Sequence, residues 1–144
     1  MKMDDKSLWK ASGLKGEYQA WSFGGPSDEL AELVANGIKT GTSSAYILYE
    51  KEDEPLPQVG EYSVILDSRD EAKAIIRTVK VEVLPFNQVP ASFAYQEGEG
   101  DRSLAYWRSV HKDFFAQELA SVGLPFNEDM LVVMETFELV YPRP

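Results

Sequence analysis

The chain of 144 residues has no cysteine and a single histidine, His111. The first absence removes disulfides, thiolate zinc sites, iron–sulfur clusters and any cysteine nucleophile together. The second removes zinc sites that need two or more imidazoles from one chain, so any metal would be a hard, oxygen-ligated ion such as magnesium or calcium. Neither a metal nor an organic cofactor is expected. Positive charge is scarce as well, with 14 Lys and Arg against 24 Asp and Glu and a net charge of −10. Such a field repels polyphosphates and disfavours a long double-stranded nucleic-acid footprint. Screening confines each charge to roughly 8–10 Å, which leaves room for an uncharged ligand or a local basic groove. No apolar run reaches the roughly 18 residues of a membrane span, and the first ten residues carry Asp4 and Asp5 without the apolar stretch of a signal peptide. No membrane partner is expected, and the expected location is the cytoplasm.

The residues that are present suit one core. Hydrophobic residues make up 44% of the chain and aromatics 12%, with 10 Gly and 8 Pro; a chain of this length buries roughly 68–70% of its unfolded surface. Residues 1–20 read as a helical extension: Leu8, Trp9 and Leu14 recur among lysines, with Asp4 or Asp5 as N-cap. Ser27 reads as the N-cap of a helix with Asp28 and Glu29 in its first turn, which buries Leu30, Leu33 and Val34 and stops at Asn36-Gly37. Tyr46 to Tyr49 reads as a strand, followed by a surface loop from Glu50 to Pro57. Tyr62 to Leu66 and Ala74 to Val83, joined through Asp67–Asp70, read as a β-hairpin. After an irregular passage between Pro85 and Pro90, residues 97–101 read as a flexible acidic loop. A long helix then runs to Gly123 from a cap at Asp101 or Ser103, and Leu131 to Tyr141 closes the chain as a strand. Helices and antiparallel strands are mixed, so the fold class is α+β, with residues 21–144 as a single domain.

Chemistry concentrates in a few stretches. Gly37-Ile38-Lys39-Thr40-Gly41-Thr42-Ser43-Ser44 feeds a lysine and several hydroxyls into a segment whose glycines permit close backbone approach. Lys39 can activate the Thr42 hydroxyl only if its pKa lies well below roughly 10.4; a solvated lysine followed by edge-strand threonines explains the same residues. The P-loop order is missing. Glu97-Gly98-Glu99-Gly100-Asp101 offers carboxylates for acid–base work or ligand donors, or simply complements the start of the next helix. Trp107 and His111, four positions apart, share a helical face with Arg108 beside them; that face either stacks a base or packs into the core. Trp21-Ser22-Phe23-Gly24 sets aromatic surface next to glycine.

Taken in order, Trp21-Ser22-Phe23-Gly24, Gly37-Ile38-Lys39-Thr40-Gly41-Thr42, Pro57 to Gly60, residues 97–101, Ser103 to Arg108 and His111 resemble the ASCH-domain proteins of the PUA-like superfamily. The resemblance runs from about Trp21 to Tyr141. It implies a small PUA-like β-barrel decorated by helices, with a cleft beside the Lys39 segment. It also implies a nucleoside- or RNA-directed protein, one branch of the family being an amidohydrolase that deacetylates N(4)-acetylcytidine and another showing ribonuclease activity. The family pattern Gly-x-Lys-x-x-Thr-x-Arg matches at Gly37, Lys39 and Thr42, with Ser44 in the arginine position. The Ala-x-Gln-Glu context of the family matches Ala94-Tyr95-Gln96-Glu97 and so implies Glu97 for the third catalytic role, with Glu99 as the second candidate. The resemblance therefore implies Lys39, Thr42 and Glu97 as catalytic residues, with Phe23, Gly24, Ser44, Tyr46, Glu99, Trp107, Arg108 and His111 around the ligand.

Two functions of different classes follow. In one, Lys39 takes the proton of Thr42, the hydroxyl attacks an acyl carbon on a modified pyrimidine nucleoside, and Glu97 positions or protonates the departing amine. In the other, a non-catalytic module binds a nucleotide or short RNA, with Lys39 and Arg108 on phosphate and Trp107 or Tyr46 stacking a base. A ribonuclease would use the same cleft.

Overall fold

The computed structural model describes residues 3–142. Helix α1 (Asp5–Ser12) starts at Asp4, whose carboxylate accepts the Ser7 backbone N–H at 2.8 Å, and ends at left-handed Gly13. Strand β1 (Gln19–Ser22) leads through Gly24-Gly25-Pro26 into α2 (Ser27–Ala35). Next come β2 (Gly41–Ala45) and α3 (Tyr46–Glu52), then the hairpin strands β3 (Tyr62–Leu66) and β4 (Ala72–Pro85). A 3₁₀ turn at Phe86–Gln88 precedes α4 (Ala91–Glu97), α5 (Leu104–Ala120) and β5 (Leu131–Tyr141). The five strands form one curled sheet in the order β1-β3-β4-β5-β2, parallel between β1 and β3 and antiparallel elsewhere.

Both faces of the middle strands are covered. Ile65, Ala74 and Ile76 pack against Leu30, Ala31 and Val34 of α2, while Val64 and Ile75 pack against Leu8 of α1. Adjacent strand residues point to opposite faces, so β3 reads as a continuous apolar run because it has helices on both sides. A third cluster joins Phe93 and Ala94 of α4 and Trp107, Phe115 and Leu119 of α5 to Val132 and Met134 of β5. Fully burying each Val, Leu, Ile, Phe or Met side chain among these contributes roughly 1.5–3 kcal/mol.

Two expectations change. Tyr46 to Tyr49 is the first turn of α3, and the strand lies immediately before it, at Gly41–Ala45. Tyr, Ile and Tyr favour strands, but Ile47 and Leu48 pack as helix residues on the α4–α5 cluster and the Tyr49 hydroxyl lies 2.8 Å from Ser44 Oγ. Helix formers Glu50 to Glu52 extend the turn, so the surface loop begins later. Glu97, read as part of a flexible loop, is instead the buried last residue of α4.

Candidate functional site

Two neighbouring features meet at β2: a buried ionic cluster and an open cavity. Gly37, at φ 74°, turns the chain out of α2 and delivers Lys39 into the interior with 1% of its surface exposed. Gly98, at φ 72°, ends α4 so that Glu97 and Glu99 flank the ammonium. The Lys39 Nζ donates to Glu97 Oε1 at 3.0 Å and to Glu99 Oε2 at 2.9 Å, and lies 5.2 Å from the Phe23 ring centre. The other oxygen of Glu97 accepts the Ser43 hydroxyl at 2.7 Å and the Trp107 indole N–H at 2.6 Å, with His111 Nε2 at 3.5 Å. The His111 ring stacks on Trp107, and its Nδ1 donates to the Trp107 carbonyl at 2.9 Å.

This geometry decides protonation. Burial acts to strip the Lys39 proton, but the Glu97 and Glu99 carboxylates outweigh it and hold the amine above its ordinary value. Burial raises Glu97, yet Lys39, His111 and Ser43 together hold it far below the carboxylate range. Burial lowers His111, and Glu97 more than reverses that. Lys39 is thus a fixed ammonium and Glu97 a saturated carboxylate, so the expected proton transfer from Thr42 to Lys39 lacks a free base. Glu97, Glu99 and His111 bring possible ligand atoms within 4.8 Å of one another, and the Lys39 ammonium already bridges the two carboxylates there.

The cavity, of about 600 Å³, receives residues from every strand: Trp21 from β1, Thr42 and Ser44 from β2, Ser63 from β3, Thr78 from β4 and Glu135 from β5. Phe23, Gly24, Tyr49 and Phe114 complete its walls, and a Cβ at Gly24 would stand only 3.0 Å from the Phe114 ring. Ser43 reaches Glu97, so strand alternation turns Thr42 and Ser44 to the other face. There Thr42 stands opposite Glu135 in the β2–β5 ladder. Glu135 is 8% exposed and accepts the Thr78 hydroxyl at 2.6 Å. Burial raises its carboxyl, Thr78 opposes the rise and Glu61 adds to it.

Of the residues expected at the site, Lys39, Glu97, Glu99, Trp107 and His111 form the ionic cluster, while Phe23, Gly24, Thr42 and Ser44 face the cavity. No hydrogen bond joins Thr42 to Lys39 or Glu97 among the described residues. Trp107 is buried and engaged with Glu97 rather than free to stack a base. Tyr46 begins α3 outside the cavity lining, and Arg108 is exposed, donating to the Asn87 carbonyl at 3.2 Å. Sequence reasoning gave Ser43 no role of its own among the Gly37–Ser44 hydroxyls and passed over Thr78 and Glu135. The available signal for Glu135 was a lone carboxylate inside the apolar run Val132-Val133-Met134-Glu135-Thr136-Phe137.

A curled five-stranded sheet flanked by helices is the architecture of a known domain class. The model of the ASCH domain matches residues 19–141, and the chain belongs to that family. The crystal structure of an ASCH domain from Lactobacillus crispatus JV V101 superposes with a TM-score of 0.90, at 31% identity over 96% of each chain. A protein from Enterococcus faecalis V583 gives a TM-score of 0.83 at 39% identity, covering 94% of this chain and 86% of its own. The comparison with curated proteins finds no match.

Proposed function

We propose that the cavity binds an uncharged nucleoside. The carrying observation is its lining: Trp21, Phe23, Tyr49 and Phe114 supply aromatic surface, and Thr42, Ser44 and Ser63 supply hydroxyls. Its charged groups are Glu54, Glu61, Glu118 and Glu135, with no Lys or Arg among the described lining residues. Aromatic walls with a few placed polar groups suit a flat heterocycle. The volume of about 600 Å³ lies in the range of small-molecule sites. Calorimetric titration with nucleosides tests this reading; a Phe23→Ala variant should lose most of the binding, and no heat from any nucleoside would overturn it.

A second reading, amide hydrolysis on a nucleoside such as N(4)-acetylcytidine, draws support from the Thr42 hydroxyl on the cavity wall. Addition of water across the amide would release acetate and cytidine. In this reading Lys39 contributes fixed positive charge behind β2, and proton transfer from Thr42 needs another acceptor. Chromatographic detection of cytidine from wild type but not Thr42→Val supports it. The carboxylate lining weighs against an RNA-binding module or ribonuclease, since phosphates would meet like charge. Short RNA that binds with a steep salt dependence would restore those alternatives.

A further inference from the structure

Glu135 is the deeply buried carboxylate of the cavity, and its two oxygens differ. Oε2 is committed to the Thr78 hydroxyl at 2.6 Å. No protein donor reaches Oε1 among the described residues, although the side chain lines the cavity. The neighbouring carboxylate of Glu61 is engaged on both oxygens, by the Gln19 side-chain amide at 2.7 Å and by the Gln58 backbone N–H. Glu54 is exposed and Glu118 half-buried, so water can satisfy both. The unused oxygen opens to the aromatic-walled space and is not sealed from it, since no buried side-chain oxygen among the described residues lacks a partner, and a ligand N–H can occupy that position.

We infer that Glu135 selects the ligand: its free oxygen accepts an N–H, so the cavity takes heterocycles that present an amino or amide N–H there and rejects those that present a carbonyl. The inference rests on the nucleoside reading and deepens it. At a pH above its burial-raised value the Glu135 carboxyl is ionised and has acceptors only, so a carbonyl opposite Oε1 leaves two acceptors facing each other without a proton between them. Thr78 is the positioning residue, because its hydroxyl fixes which oxygen turns inward. Thr42, across the ladder, is placed to contact the same edge of the ligand.

Cytidine and uridine differ at one ring position, amino against carbonyl, and make the probe pair. Calorimetry on the wild-type protein should favour cytidine by about tenfold or more. Glu135→Gln offers both an amide N–H and a carbonyl, so that preference should collapse to within about twofold while both nucleosides still bind. Thr78→Val keeps the carboxylate but loosens its orientation, and a several-fold loss of preference is expected; it carries the test if Glu135→Gln fails to fold by circular dichroism. Equal wild-type affinities, or a preference unchanged in the variants, would overturn the role of Glu135 and leave the nucleoside cavity standing. Failure of both nucleosides to bind the wild type would overturn the cavity reading and this inference with it.

Discussion

Replacing Lys39 by Met keeps most of the apolar stem and removes only the ammonium. Glu97 then retains the Ser43 and Trp107 donors but loses the charge that compensates it, at 1% exposure. Breaking a buried pair from one side costs about 3–5 kcal/mol, because an uncompensated charge stays behind. The remaining donors place Lys39→Met toward the lower end of that range. At about 2–4 °C per kcal/mol for a chain near this size, the melting temperature should fall by about 10 °C. Adding Glu97→Gln should return much of the loss, since the orphaned charge goes too. Urea and thermal unfolding of wild type, both single variants and the double variant measure this cycle at neutral pH. If Lys39→Met melts within about 2 °C of wild type, the ionic cluster does not hold α4 against β2 and the reasoning fails.

Other outcomes follow from the same contacts. Trp107→Phe keeps the stacking surface but deletes the N–H that reaches Glu97 at 2.6 Å, which should cost about 1.5–3 kcal/mol in urea unfolding. The folded state holds Glu97 below its ordinary value of 4.5, so its share of stability is complete above that pH and disappears as pH falls; Glu97→Gln should flatten the acid limb of a pH–stability curve. His111 is held above its ordinary 6.5, so its share is complete below that pH and is lost as pH rises through the folded value; His111→Gln should differ from wild type more at pH 6 than at pH 9. Gly98→Ala sets a Cβ 2.7 Å from the Ile38 carbonyl at a left-handed φ, and should cost at least about 2 kcal/mol by chemical unfolding.

Local chemistry made several elements legible. Asp4 caps α1 and Ser103 caps α5, with Ser103 Oγ accepting the Tyr106 N–H at 3.1 Å. The hairpin and β5 stand where alternation and β-branched residues put them. α3 was illegible because its first turn carries strand-favouring side chains that packing turns helical. α4 hid between Pro90 and Gly98, too short for its period to stand out. At the site, the spacing of Trp107 and His111 revealed a shared face but not that Glu97 lies against it. That contact, like the one between Lys39 and Glu97 across 58 positions, is created by the tertiary fold. Glu135 was hidden by its surroundings, since in a single strand a carboxylate reads as a solvated position until its neighbours are known.

The parallel pairing of β1 with β3 makes one wall of the cavity an edge strand. β1 is hydrogen-bonded to β3 alone, and the pocket it borders is complete only while that clasp is shut. A molecule lodged there draws on the closed population alone, so amide protons of Gln19–Ser22 should exchange more slowly as the pocket fills.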